Sequence, residues 1–189
     1  MPTNIPFGLC RTRARAVAAA ATLAVCSAAQ AQVVARPDRF GDTMRYGLPL
    51  AAVALSLYEG DTEGLKQFAE SMAVSQAGTE LLKRAVHSKR PDGTGRGFPS
   101  GHVSAVFTAA TYVHERYSLE WSLPFYALAA VTAEERVRTH HHFTKDVVAG
   151  AAIGSASSWL FTSRLDGGRS RANVSYVDHT VLVSYQSQW

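Results

Sequence analysis

Cysteine is scarce: the 189 residues hold two, Cys10 and Cys26, both near the N-terminus. Downstream of them there is no disulfide framework, no cysteine-zinc site and no cysteine nucleophile. Long hydrophobic runs are missing too. Apolar stretches recur at about 11 to 14 residues, interrupted by Ser, Thr and Gly, whereas a membrane span needs about 20. That argues against a polytopic membrane protein and leaves peripheral membrane contact open. A strong excess of one charge is absent as well. Residues 1–31 carry three arginines and no acid, so without them Lys and Arg fall from 19 to 16 against 15 acids, and the formal charge from +4 to +1. A generally basic, nucleic-acid-binding surface is not indicated. There is no internal repeat and no low-complexity segment beyond residue 31.

The N-terminus reads as a targeting segment. Arg11, Arg13 and Arg15 precede an alanine-rich apolar run, and Ala29-Gln30-Ala31 is a small-x-small cleavage signal. This is the pattern of a secretory signal peptide over residues 1–31, and it implies an exported, periplasmic protein. Residues 32–44 are polar with a proline and read as a flexible lead-in. From 45 to 166 the pattern is that of one all-α domain, a compact bundle of about six helices. The expected helices are 46–58, with Pro49 in its first turn, a second carrying Leu65, Phe68 and Met72, and a third capped by Thr79 after an interruption at Gly78 and ending near Pro91. Three more follow, over 100–117, 121–138 and 143–161. The tail, residues 167–189, changes character. Val174, Tyr176, Val181, Val183 and Tyr185 alternate with polar residues, so it reads as one or two strands, a small hairpin against the bundle.

Phe98-Pro99-Ser100-Gly101-His102 is the organising stretch. Pro99 ends what precedes it, Ser100 suits an N-cap, and Gly101 lets a ligand approach the backbone. Val103, Val106, Phe107 and Ala110 then follow helical spacing. A helix N-terminus with free N–H groups is an anion site. Anion partners exist elsewhere. Lys83 and Arg90 are seven apart, two helical turns, and so share a face of one helix. Arg136 stands six residues before His142, and Asp146 four after it. At i, i+4 a carboxylate lies beside the imidazole, fixes its tautomer and leaves the other nitrogen free as nucleophile or base. The run His140-His141-His142 suggests metal, but consecutive helical side chains diverge, so no metal site is expected.

In order and spacing these residues resemble the signature of the type 2 phosphatidic acid phosphatase (PAP2) superfamily, which includes bacterial class A acid phosphatases and vanadium haloperoxidases. Its blocks K-x6-RP, PSGH and SR-x5-H-x3-D stand here as KRAVHSKRP, PSGH and ERVRTHHHFTKD. Matching ten positions at about one in twenty each has a chance on the order of 10⁻¹³ per placement. The resemblance implies a metal-independent, cofactor-free phosphatase acting on phosphomonoesters, lipid or soluble, through a phosphohistidine. It implies His142 as nucleophile, Asp146 as its orienting carboxylate and His102 as acid and base. Lys83, Arg90, Arg136, Ser100 and the Gly101 N–H would hold the phosphate. Vanadate would bind the same pocket, which leaves a vanadate-dependent haloperoxidase as an alternative, beside a non-catalytic envelope protein with an inherited pocket. One departure from the pattern is Glu135 in place of the family's Ser. It is expected, with Glu134, to be a solvated surface acid.

Overall fold

The computed structural model describes residues 37–165, 171–177 and 180–186. The signal-peptide reading lies outside the described residues. Five helices, α1 Pro37–Tyr58, α2 Thr62–Ala85, α3 Gly101–Arg116, α4 Leu119–Arg138 and α5 Thr144–Phe161, are followed by strands β1 Arg171–Val177 and β2 Thr180–Gln186. The strands pair antiparallel, from Arg171 opposite Gln186 to Val177 opposite Thr180. The fold is all-α with a short strand-like tail, and among the described residues it has one helix fewer than expected.

α3 is the axis. Val103, Val106, Ala109, Ala110, Tyr112 and Val113 on it are all wholly buried. Onto it pack Phe40, Met44, Leu48 and Ala52 of α1, Phe68 of α2, and Phe125, Leu128 and Ala129 of α4. The four-residue spacing along α1 explains a correction. Residues 37–44 are not a loose lead-in, because Phe40 and Met44 extend the buried stripe backwards and carry the helix with it. Pro49 consequently lies inside the helix rather than in its first turn.

α2 merges the expected second and third helices. Gly78 does not interrupt it, since a single glycine costs only about 1 kcal/mol relative to alanine and Ser75 and Thr79 on either side of it are buried. Thr79 is no cap: it is buried mid-helix and donates to Ser104 Oγ at 3.1 Å. The true N-cap is Asp61, whose carboxylate accepts the Gly64 N–H at 2.8 Å. The helix stops at Ala85, before Arg90-Pro91, so Lys83 and Arg90 are not on one helix face.

α3 and α5 approach very closely. A Cβ added at Gly150 would stand 2.5 Å from the Ser100 carbonyl oxygen, and one at Gly154 would meet the Ser104 carbonyl oxygen. Ser158 Oγ donates to the Thr108 carbonyl at 2.7 Å, and Thr108 Oγ1 to Ser75 Oγ at 2.9 Å. This seam of small polar residues joins α2, α3 and α5. At its far end Arg116 forms a buried two-point pair with Asp61, at 2.6 and 2.5 Å, and donates to the Ser163 carbonyl at 2.7 Å. Burial pushes the Asp61 carboxyl up, but the bonds from Arg116, Gly64 and Tyr117 together hold it below its ordinary value.

Candidate active site

The N-termini of α3 and α5 meet at the near end of the seam. The Ser100 N–H donates to the Asp146 carbonyl at 2.9 Å, which ties the two helix starts together. Ser100 is the α3 N-cap residue, yet its hydroxyl makes no cap bond and is buried without a hydrogen-bond partner among the described residues. Gly101 has Lys83 close by: a Cβ there would sit 3.3 Å from Lys83 Nζ, a tight contact. Lys83 therefore reaches the start of α3 from the last turn of α2. Burial and the nearby Arg90 guanidinium lower the Lys83 pKa.

Arg90 arrives by a different route from the expected helix. The loop after α2 folds back on itself, with the Gly97 N–H bonded to the Ser88 carbonyl at 2.7 Å and a bridge between Lys89 and Arg96. A Cβ at Gly97 would lie 3.2 Å from Asp146 Oδ2 and 3.4 Å from Arg90 Cα, so this glycine lets the loop pass against the carboxylate.

His142 lies outside α5. It precedes the N-cap Phe143, after a turn in which His140 takes a positive φ of 59°. The His142 N–H donates to the Arg136 carbonyl at 3.0 Å. Asp146, in the first turn, reaches back to accept the Phe143 N–H at 3.0 Å. Its Oδ2 then stands 3.5 Å from His142 Nδ1, longer than a good hydrogen bond, with both side chains buried. The pair thus meets through a helix-capping contact, not across a helix face. The three histidines diverge: His140 is exposed, His141 Nδ1 faces Thr139 Oγ1 at 2.7 Å, and His142 is 1% exposed. Among the described residues no three His, Cys, Asp or Glu side chains are placed to hold a metal ion.

Arg136, in the last turn of α4, is buried. Burial lowers its pKa, opposed by Glu135 and Asp42. Glu135 is not the surface acid that the sequence suggests. It is 2% exposed rather than solvated, and it acts electrostatically on Arg136, while the adjacent Glu134 is exposed and pairs with Arg138 at 3.4 Å. Successive helix positions differ by about 100°, so neighbouring acids meet opposite environments. Gly41 of α1 makes room for both Glu135 and Arg136: a Cβ there would lie 2.6 Å from Glu135 Oε2 and 2.9 Å from Arg136 Cδ.

The sequence-selected residues thus come together. Arg136 acts on both His102 and His142, and Arg90 acts on His142, Lys83 and Arg136. Burial first, then Arg136, lowers the His102 pKa to about 4, opposed by Asp42. Burial, Arg90 and Arg136 also lower that of His142, opposed by Asp146. Both imidazoles are neutral near pH 7 and sit among cations. Arg90 Nε, Ser100 Oγ, Arg136 Nε, His142 Nδ1 and Asp146 Oδ1 are all buried without a hydrogen-bond partner among the described residues. Buried polar groups are normally satisfied. Donors left over in a cationic pocket with a neutral histidine match an anion that bonds them all.

Two residues of this site escape a reading of the sequence: Asp42 and Arg45, both on α1. Asp42 Oδ1 lies 2.7 Å from His102 Nε2 and 3.7 Å from Arg136 Nη1. Arg45 acts electrostatically on Lys83, His102 and Arg136. The available signal was the Phe40–Met44–Leu48 spacing, which puts both on a helix.

The family model described as PAP2 superfamily matches residues 64–167. Lipid A 4'-phosphatase of Helicobacter pylori is 34% identical over 139 residues, covering 67% of this chain and 70% of that protein. Lipid A 1-phosphatase of Porphyromonas gingivalis is 38% identical over 69 residues, covering 34% of this chain and 16% of that protein. The crystal structure of Aquifex aeolicus LpxE shares the fold, with a TM-score of 0.55 and 24% identity over 65% of this chain and 82% of that one.

Proposed function

The chain belongs to the PAP2 superfamily, and from that premise we propose that it is a metal-independent phosphatase of lipid phosphate monoesters working through a phosphohistidine. The observation that carries this reading is the set of buried, unbonded donors on Arg90, Ser100 and Arg136 around His142. Charge in phosphoryl transfer spreads over the equatorial oxygens, and fixed cations and N–H groups can stabilise it. Lys83, Arg90, Arg136, Ser100 Oγ and the Gly101 N–H hold those oxygens.

In the first step the free nitrogen of His142 attacks phosphorus and the ester P–O bond breaks. His102, protonated as the anionic ester binds, gives that proton to the departing oxygen. Asp146 holds His142 through the Nδ1 side and stabilises its cationic form. In the second step His102 takes a proton from water, the hydroxide oxygen bonds to phosphorus, the P–N bond breaks, and phosphate leaves.

A lipid ester is supported by the relatives' names and by the surface. Tyr46, Leu50 and Leu57 of α1, 63%, 66% and 63% exposed, fall within one narrow helical stripe that starts next to the site's Asp42 and Arg45 and runs away from it along the helix. No described helix is long and apolar enough to cross a membrane. Peripheral contact with a lipid surface fits this pattern. The signal-like sequence of residues 1–31 supports a periplasmic site of action.

The test is rapid quenching with labelled substrate. Wild-type chain should yield an acid-labile, base-stable phosphoenzyme, and His142→Ala should yield none and turn over at least about 10³-fold more slowly. Full activity in His142→Ala ends the proposal.

A further inference from the structure

Asp42 stands at the rim of the site on α1, with its side chain 63% exposed, over His102 and Arg136, whose side chains are 14% and 4% exposed. Its Oδ1 is 2.7 Å from His102 Nε2, the length of a charge-assisted hydrogen bond. An ionised carboxylate only accepts, so Nε2 carries the hydrogen. The proton exchanged with substrate must then pass through Nδ1. The two histidines are thereby held by opposite nitrogens: His142 has its carboxylate on the Nδ1 side and His102 on the Nε2 side.

We propose that Asp42 is a positioning residue for the acid–base histidine, fixing His102 through Nε2 so that Nδ1 delivers the proton to the leaving oxygen. This rests on the acid–base role read above for His102. The ring, neutral in the free protein, takes a proton from solvent at Nδ1 as the anionic ester binds; in the first step that Nδ1–H bond breaks as the ester P–O bond breaks, and the departing oxygen gains the proton. In the second step Nδ1 regains a proton from water as the water oxygen bonds to phosphorus. Asp42 accepts from Nε2–H throughout and balances the imidazolium.

The charged groups acting on His102 are Asp42 and Arg45 from α1 and Arg136 from α4; Lys83 of α2 lies beside the neighbouring Gly101. Burial and the two arginines disfavour the protonated ring, and Asp42 opposes them. The same carboxylate oxygen faces Arg136 as well, so a competing role exists: Asp42 could occupy a seat meant for a phosphate oxygen. The two roles have opposite consequences for kinetics.

Full-length wild type, Asp42→Asn, Asp42→Glu, His102→Ala and the Asp42→Asn/His102→Ala pair are assayed on p-nitrophenyl phosphate, a good leaving group, and on an alkyl phosphate, a poor one. Asp42→Asn should lower kcat about tenfold on the alkyl ester and at most about threefold on the aryl ester. The alkaline limb of kcat for the alkyl ester should move to lower pH by about one unit, because the charge favouring the imidazolium is gone. Asp42→Glu should restore part of both effects. In the His102→Ala background Asp42→Asn should add nothing, as expected of a residue that acts through the ring. An equal loss on both esters with an unmoved pH profile overturns the proposal. So does additivity in the pair, or a lower KM and tighter inhibition by inorganic phosphate at unchanged kcat, the result expected of a phosphate-seat occupant. If His102→Ala itself shows no leaving-group dependence, the acid role fails and Asp42's with it. A normal His102→Ala signature with a silent Asp42 variant sinks only the latter.

Discussion

Burial holds His102 and His142 neutral against their ordinary preference, and that has a cost in acid. His102 titrates near 6.5 in an unfolded chain and at about 4 when folded. Between those values the unfolded state binds more protons, so stability is complete above about pH 6.5 and is lost as pH falls towards about 4. The His142 shift has the same sign. A bound phosphate anion favours the imidazolium, so its stabilising effect should grow in the same window. Thermal melts with and without inorganic phosphate, near neutrality and at mildly acid pH, check this. A melting temperature flat across the window, or a phosphate effect that shrinks on acidification, contradicts buried neutral histidines. At this scale the site was largely legible, because chemistry-bearing residues sit at fixed spacings: Lys83, Arg90, Ser100, Gly101, His102, Arg136, His142 and Asp146 converge. What spacing does not carry is environment. Glu134 and Glu135 are identical neighbours in the sequence, and only packing against Gly41 and Arg136 buries one of them.

Glycines in the helices divide by what they face, which gives two predictions of opposite sign. Gly154 lies against the backbone of α3, where a Cβ would come within 2.9 Å of Thr108 N. Gly154→Ala should therefore destabilise by about 1–3 kcal/mol through overpacking. Gly78 is well inside α2, and a Cβ there would meet only Ile153 Cγ2, at an ordinary contact distance of 3.9 Å. Gly78→Ala should instead stabilise by about 0.5–1 kcal/mol, since the unfolded chain loses freedom and no contact is strained. Denaturant titration of both variants decides; the same sign for the two would refute the assignment of the α3–α5 seam. Elements were readable wherever the apolar spacing was unbroken, as in α3, α4 and α5. Gly78 misled because a helix-breaking preference is a local term that tertiary packing overrides. The start of α1 misled because its outward residues are polar, while its inward ones, Phe40 and Met44, are four apart and easy to pass over.

Taken whole, the molecule carries a cationic pocket and, on two of its helices, exposed apolar side chains. Leu50 and Leu57 on α1 and Leu119 and Leu123 on α4 are all more than half exposed. Changing Leu50 and Leu123 together to Glu should cut hydrolysis of a lipid phosphate in vesicles about tenfold or more and leave p-nitrophenyl phosphate turnover unaffected, because charge opposes interfacial binding. A parallel loss on both substrates would show damage to the fold or the site instead. In the mechanism proposed above side-chain cations take the part that metal ions take in other phosphatases, so EDTA should leave phosphate-ester hydrolysis unchanged, while vanadate should compete with the ester. One main-chain link has a further bearing on the molecule's future. The Ser100–Asp146 bond moors the segment bearing His102 to the segment bearing Asp146. Selection for new leaving groups would accordingly find little latitude between the imidazoles of His102 and His142. Its room for innovation is in α1 and the stretch around Arg90, which can be rebuilt while the centre keeps its registration.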